Sequence, residues 1–235
     1  MNLGLLATVL LGGLAALDAA PVAQTLFSQP LVTATLLGWV WGEWKVALET
    51  GVVLQILAAS TLPVGARTPE DYASGGVVGI GVALALASQQ PFQMAREASV
   101  LIGVLVGLLT AVGGVRLLKW QRRSHESLSR WCEAEIRRGD ESALARAHRA
   151  AILLAFAVGM AYCAVCLAVG LWAGSGLVAH ESLRLSRAWA MARPLWLGLG
   201  LAQLLSAFIQ RRLSRAAVFG FALIGAWLVL MVGMP

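Results

Sequence analysis

The sequence predicts an all-α, polytopic membrane protein, with broken or re-entrant helices in its N-terminal half and spanning helices in its C-terminal half. Of the 235 residues, 59% are hydrophobic and only 13% are charged, and the mean hydropathy is +0.77. Soluble domains are about 45–50% apolar and about 25% charged. The 25 glycines agree, because glycine is more frequent in membrane helices than in soluble ones. These values exclude a typical soluble enzyme, a disordered tail and a disulfide-stapled secreted domain.

The apolar runs of the N-terminal half are short and interrupted. They occupy residues 3–17, 31–42, 46–62 and 75–87, and several fall below the length of about 20 residues that crosses a bilayer core. Prolines, glycines and polar side chains separate them. Interrupted helices persist in a membrane only where protein buries them or where they line a wet cavity, and transporters bind substrates at such interruptions. We therefore expect residues 1–97 to contain the substrate site.

The C-terminal half predicts spanning helices on either side of a polar loop. Apolar runs near spanning length occupy residues 99–118, 150–173, 194–209 and 216–234, so we expect the spans within 98–118 and 150–234. Residues 116–149 carry nine of the eighteen lysines and arginines. Basic residues concentrate in cytoplasmic loops, so the loop 119–149 is expected to be cytoplasmic. The same rule explains the net charge of +6, and we expect no nucleic-acid partner.

Within this loop the pattern favours a helical hairpin. Apolar residues recur at helical spacing at Leu128, Trp131, Cys132 and Ile136. The sequence Arg137-Arg138-Gly139 is typical of a helix C-terminus, and Asp140 is typical of the N-cap of a following helix. The alternative is a solvated basic linker that lies on the lipid headgroups.

An ordered set of motifs, extending over about residues 17–75, resembles one transporter family. The motifs are Leu17-Asp18, Gln24, Gln29-Pro30-Leu31-Val32, Leu36-x-Gly38-x-x-x-Gly42-Glu43, Gly51-x-x-Leu54-Gln55-Ile56, and LPVGARTPED over residues 62–71. This order is similar to that of the membrane IIC component of the mannose/sorbose-type phosphoenolpyruvate:sugar phosphotransferase system (PTS). The family's pattern is roughly LD, RP-L-V, L-x-G-x-x-x-G-D, G-x-x-L-E and G-A-x-x-P-P-D.

The resemblance implies a sugar permease in the bacterial cytoplasmic membrane. Such IIC chains pair with a membrane subunit, IID, and form homo-oligomers, and a phospho-IIB protein phosphorylates the sugar on the cytoplasmic side. The phosphohistidine belongs to the soluble subunits, so the chain needs no catalytic nucleophile. The sequence has only three histidines, His125, His148 and His180, and none lies among the polar residues of the N-terminal half. We expect no cofactor and no metal site.

Positions that match the family's motifs suggest the sugar ligands. They are Gln55, Glu70 and Asp71, with Asp18 and Gln24 as further candidates. A sugar hydroxyl both donates and accepts hydrogen bonds, so carboxylates and amides recognise it well.

Structural roles compete with each assignment. Glu70 and Asp71 suit a polar turn or a helix N-terminus. Asp18 suits the cap of a helix starting at Pro21. Gln55 lies in an apolar helical run, where an amide needs a partner in another helix or a ligand.

The chain departs from the family's pattern at four positions. Gln55 stands in place of Glu, Gln29 in place of Arg, Glu43 in place of Asp, and Glu70 in place of the second Pro. A negative charge is therefore missing at Gln55, which is expected to alter the sugar or to weaken transport.

Three functions follow from these observations. The first is the IIC sugar permease subunit of a phosphotransferase system, with the basic loop as a docking surface. The second is a sugar facilitator that needs no phosphorylation, and the third is a membrane regulator that retains the fold without transporting. A membrane enzyme with its own active site is disfavoured, because no metal-ligand cluster, Walker loop or nucleophile motif is present.

Overall fold

The structure, a computed structural model, describes residues 3–19, 25–59, 70–89, 93–208 and 212–233. These residues form seven α-helices and no β-strand, which confirms the predicted all-α class. The helices are α1 (Leu3–Ala19), α2 (Pro30–Trp41), α3 (Trp44–Ala59), α4 (Tyr72–Ser88), α5 (Gln93–Arg137), α6 (Ala143–Phe208) and α7 (Arg212–Gly233).

Two glycines in the left-handed conformation end helices and create sharp turns. Gly42, with φ of 68°, follows α2, and the next N–H donates to the carbonyl of Gly38 at 3.1 Å. Gly139, with φ of 91°, follows α5, and the next N–H donates to the carbonyl of Glu135 at 3.1 Å. Glycine adopts this conformation without a Cβ clash, so both positions favour the helix end that the structure shows.

The centre of the bundle is α4, in which residues 74–87 are all buried. Glycines bring α4 and α5 together until backbone meets backbone. A Cβ on Gly79 would lie 2.6 Å from the carbonyl oxygen of Gly103, and a Cβ on Gly75 would lie 2.6 Å from that of Gly107. Membrane helices gain little by burying apolar surface against each other, because lipid is equally apolar. Close packing of small residues therefore holds this pair together.

The other N-terminal helices pack around α4 through the same kind of contact. A Cβ on Gly81 of α4 would lie 2.4 Å from the methyl group of Thr8 in α1. A Cβ on Gly76 would lie 3.0 Å from the ring of Pro30 at the start of α2. The first turn of α2 thus rests on the first turns of α4.

The helix α6 has 66 residues and changes direction at Glu181, where φ is −123° and ψ is 22°. The sequence predicts a separate run at 194–209, but Pro194 lies inside the helix and the break falls earlier. Proline is tolerated within membrane helices, because neighbouring groups satisfy the carbonyl that it leaves free. α5 likewise continues without a break from the apolar run into the polar loop.

The arm of α6 that follows Glu181 lies alongside α3. Arg193 pairs with Glu49 at 3.5 Å, and Gly200 lies against Ile56. From Glu49 to Ile56 and from Arg193 to Gly200 the chain advances by the same number of residues, so the two helices run in the same direction. This arm therefore joins the C-terminal half to the interrupted helices.

Two segments in the described part of the chain, Ala95–Arg137 and Ala143–Gly200, are long and apolar enough to cross a membrane. The other apolar helices are shorter. At 1.5 Å per residue α4 is about 26 Å long and α2 about 18 Å, against a hydrocarbon core of about 30 Å. These helices therefore end within the depth of the bundle.

The polar ends of α5 and α6 form a helical hairpin, residues 116–149. Asp140 lies in its turn and accepts hydrogen bonds from the N–H and hydroxyl of Ser142, at 3.0 Å and 2.6 Å. Arg146 pairs with Asp140, and its guanidinium also lies 5.4 Å from the ring centre of Trp131. These contacts connect the two arms at the tip.

We expect Gly79→Ala to lower the free energy of unfolding by about 1–3 kcal/mol, because its Cβ would meet the backbone of α5. Gly176→Ala is the matched control, since nothing lies within 4 Å of a Cβ at that helical position. The control is expected to gain up to about 1 kcal/mol from better helix propensity. Thermal unfolding of the purified chain in detergent measures both. Equal unfolding temperatures for Gly79→Ala and the unsubstituted chain would contradict the close crossing.

Acidification is expected to loosen the hairpin turn. The hydrogen bond from the Ser142 hydroxyl and the nearby Arg146 guanidinium lower the pKa of the Asp140 carboxyl below its ordinary value of 3.8. The stabilisation is therefore fully present above about pH 4 and is lost as the pH falls through the folded-state pKa. Amide hydrogen-exchange protection at residues 138–146 should fall below that pH. Asp140→Asn should remove the pH dependence, and a persistent dependence would assign it to another group.

Candidate functional site

Four helix ends meet in the half of the bundle nearer the hairpin. They are the end of α1, the start of α2, the last turns of α3 and the start of α4. The N–H of Asp71, just before α4, donates to the carbonyl of Ala111 in α5 at 2.9 Å, close to where the hairpin begins. The candidate ligands from the sequence lie at these ends, except Gln24, which is outside the described residues.

Asp18, near the end of α1, binds the segment that leads into α2. One carboxylate oxygen accepts from the N–H and the hydroxyl of Thr25, at 2.6 Å and 2.7 Å. The other accepts from the N–H of Ser28 at 2.8 Å. Asp18 is buried, so these bonds replace the water that a carboxylate requires. The residue thus binds the approach to α2, and the alternative, a cap for a helix starting at Pro21, lies outside the described residues.

Gln55 of α3 reaches across to the start of α2. Its side-chain oxygen accepts from the N–H of Leu31 at 3.1 Å, and its Nε2 donates to the side-chain oxygen of Gln29 at 2.8 Å. The partner that an amide needs in an apolar run is therefore found in another helix. Gln55 is half-buried.

Asp71 and Glu70 precede α4. One oxygen of Asp71 accepts from the N–H of Ser74 at 3.1 Å, so Asp71 is the N-cap of α4. Asp71 is buried against Gly114 of α5, where a Cβ would lie 2.5 Å from the Cβ of Asp71. Glu70 is half-buried beside it. The alternative of a helix N-terminus thus describes Asp71 correctly.

The start of α2 brings these residues into one region. Asp18 binds the residues just before it, Gln55 binds Leu31 in its first turn, and Pro30 packs on α4 one turn from Asp71. Interrupted helix ends with amide and carboxylate groups suit a small hydroxylated ligand. Within the described residues, no group of three or more His, Cys, Asp or Glu side chains is placed to hold a metal ion.

Sequence reasoning missed a second polar cluster, at the end of the bundle opposite the hairpin. Arg96 pairs with Glu43 at 3.4 Å, and the hydroxyl of Ser186 donates to Glu97 at 2.6 Å. A cavity of about 150 Å³ lies between them, lined also by Glu49. In the sequence only the glutamates at the helix breaks indicate this cluster, because the residues that they pair with are distant in sequence. These contacts connect α3, α5 and α6.

A helical bundle with two spanning-length helices and polar helix ends inside it is typical of a membrane protein of the transporter class. The sequence matches the family of the PTS sorbose-specific IIC component over residues 3–234. The chain belongs to this family, and it is a sugar permease subunit of the phosphotransferase type. The resemblance seen in residues 17–75 is thereby confirmed and extends to nearly the whole chain.

Solved structures share the fold. One, described as a membrane protein, aligns over 100% of this chain and 97% of its own, with a TM-score of 0.68 and 18% identity. Another is a cryo-EM structure of the mannose transporter ManYZ in complex with microcin E492. It aligns over 100% of this chain and 96% of its own, with a TM-score of 0.57 and 18% identity. No curated protein matches the sequence.

Two departures from the family's pattern lie in contact. Gln29 replaces an arginine and Gln55 replaces a glutamate, and the structure joins their side chains at 2.8 Å. The two replaced residues carry opposite charges, so the sum of charges at this pair is unchanged. The negative charge that the sequence counts as missing is therefore missing together with a positive one.

We expect Asp18→Ala to lower the free energy of unfolding by about 2–4 kcal/mol, because two N–H groups and one hydroxyl lose their acceptor. Asp18→Asn retains one acceptor oxygen and is expected to lose less. Thermal unfolding in detergent, without sugar, measures both variants. Unfolding of Asp18→Ala at the temperature of the unsubstituted chain would show that these bonds contribute nothing to stability.

Proposed function

We propose that this chain binds a hexose-type sugar where its helix ends meet and carries it across the bacterial cytoplasmic membrane for phosphorylation by a phospho-IIB partner. Family membership supports the reaction class. The single observation that carries the site is that the start of α2 contacts both Gln55 of α3 and the first turns of α4, the helix that Asp71 caps.

The proposed ligands are Gln55, Glu70 and Asp71, with Asp18 and Gln24 in support. Asp71 and Asp18 are only 7% and 8% exposed, so a sugar reaches this region only when the helices separate. In this proposal α2, α3 and the arm of α6 that follows Glu181 move against α4 and α5. Movement of one group of helices against another is the general route to alternating access. The groups that hold the ends together in the closed state are then the groups that meet the sugar.

The hairpin faces the cytoplasm in this proposal, as its nine basic residues favour. Near the tip acidic residues form ion pairs, such as Glu135 with Arg138 at 2.7 Å. Exposed cations lie nearer the membrane, at Arg116, Lys119, Arg123 and Arg149. A groove between the arms there is lined by Ser124, Ser127, Leu128, Ala150 and Leu154. This charge distribution suits an anionic surface on the phospho-IIB protein.

The apolar outer faces of the bundle suit lipid, the IID subunit and a second copy of the chain. Exposed apolar side chains line α7 and the outer face of α6, with Val232 at 86%, Trp172 at 82% and Phe221 at 75% exposure. Membership of the sorbose-specific IIC family and the similarity to the mannose transporter ManYZ support pairing with the IID subunit here. Homo-oligomerisation rests on the family resemblance.

The test is uptake of labelled hexoses by cells that lack their own hexose phosphotransferase system. The chain is expressed with and without IID and IIB, and phosphorylated sugar inside the cell is measured. We expect phosphorylated sugar only when all partners are present. Free sugar accumulating without partners would favour the facilitator, and no uptake in any combination would favour the regulator.

A pair of variants tests whether Gln55 belongs to the proposed sugar site. Gln55→Ala is expected to reduce uptake about tenfold, because the amide and the cap of α2 are both lost. Gln89→Ala, an exposed amide at the opposite end of α4, is the matched control and should transport normally. Equal uptake by the two variants would remove Gln55 from the proposed site.

A further inference from the structure

The start of α2 is capped by its neighbour and not by its own N-cap residue. Gln29 occupies the N-cap position with an extended backbone, and its side chain makes no capping bond. Pro30 follows it and has no N–H, so Leu31 carries the first N–H of α2. The side-chain oxygen of Gln55 accepts from that N–H at 3.1 Å. A side chain of α3, and not Gln29, therefore caps α2.

This cap fixes the orientation of both amides. A backbone N–H only donates, so the group of Gln55 that faces Leu31 is its oxygen, and its Nε2 faces Gln29. Gln29 must then present its own oxygen, which accepts at 2.8 Å. The remaining N–H of Gln55 and both N–H groups of Gln29 donate to no residue in the described part of the chain. This edge of the site therefore presents N–H donors and no charge.

The carboxylates of the proposed site lie at other helix ends, with Asp18 near the end of α1 and Glu70 and Asp71 just before α4, so the edge formed by Gln55 and Gln29 carries none. Both oxygens of Asp18 already accept from Thr25 and Ser28. One oxygen of Asp71 accepts from the N–H of Ser74. Uncharged N–H donors suit the oxygen of a hydroxyl group, whereas an ammonium group brings only further donors and finds no acceptor at this edge. An unmatched polar group in a closed site is costly, so such an edge discriminates between the two.

We propose that Gln29 is a positioning residue for sugar selection, which holds the Gln55 amide with its N–H toward the site and so favours uncharged hexoses over hexosamines. The inference rests on the proposed function and names the substrate class of the same site. Its basis is the bonded chain from Leu31 through Gln55 to Gln29.

The charge at this edge can be changed with little change in shape. Glu has the size of Gln, and Gln55→Glu still accepts from the N–H of Leu31. Gln29 then turns its amide and donates to the second carboxylate oxygen. The cap of α2 is retained, and only the charge presented to the sugar differs.

The experiment compares uptake of labelled mannose and labelled glucosamine by cells with all PTS partners. The unsubstituted chain should prefer mannose. Gln55→Glu should raise the ratio of kcat/KM for glucosamine to that for mannose about tenfold, because a carboxylate attracts the ammonium group. Gln89→Glu, which adds the same charge at the opposite end of α4, is the matched control and should leave the ratio unchanged.

The KM for mannose in variants of Gln29 tests the positioning role of this residue. Gln29→Met fills the same space but accepts nothing, so the Gln55 amide is free to rotate. We expect the KM for mannose to rise several-fold while kcat is retained. Gln29→Glu supplies an acceptor again and should restore the low KM, and its charge should raise the glucosamine ratio. A residue with a merely structural role would alter thermal stability without moving the ratio.

The outcomes separate this inference from the proposed function. If the unsubstituted chain takes up no sugar with all partners, the proposed function fails and this inference fails with it. If it transports mannose but neither Gln55→Glu nor Gln29→Glu changes the ratio, the inference is overturned and the proposed function stands. A changed ratio in either variant, with an unchanged ratio in Gln89→Glu, supports the inference.

Discussion

The close crossing of α4 and α5 is the constraint on which the rest of the structure depends. A Cβ on Gly103 would lie 2.5 Å from the carbonyl oxygen of Gly79, so the two backbones touch. In a membrane, packing of this kind replaces the hydrophobic gain that holds soluble helices together. Because α4 is buried on every side along residues 74–87, the surface of α4 determines where each neighbouring helix packs. The positions of α1 and α2 follow from glycines at Gly81 and Gly76.

A short buried helix has a further consequence, which is that its ends lie inside the protein. The N-terminal N–H groups of a helix need acceptors, and water does not supply them there. Asp71 provides one for α4, and Gln55 provides one for α2. The polar residues of the interrupted half are therefore required by the fold before any ligand is considered. In the proposed function the same residues also bind the sugar.

The two polar regions of the bundle differ in chemistry because they differ in depth. At the end opposite the hairpin, ion pairs between Glu43 and Arg96 and between Glu49 and Arg193 are half-exposed and connect neighbouring helices. At the inner helix ends, the carboxylate of Asp18 accepts from the N–H and hydroxyl of Thr25 and from the N–H of Ser28. Water can solvate charges in the first region, whereas the second needs a bonded partner for each polar atom. The proposed selectivity for a neutral ligand belongs to the second region.

Local patterns in the sequence determined the membrane class, the all-α fold, the turns at Gly42 and Gly139, and the polar interruptions of the N-terminal half. Hydropathy, charge and the backbone freedom of glycine are properties of a few consecutive residues, so the sequence shows them without knowledge of the fold. The tertiary structure alone decided that Gln29 meets Gln55, 26 residues away, that Ser186 meets Glu97, 89 residues away, and that α6 continues through Pro194. These contacts depend on how closely α4, α5 and α6 approach, and no pattern within one segment encodes the distance between segments.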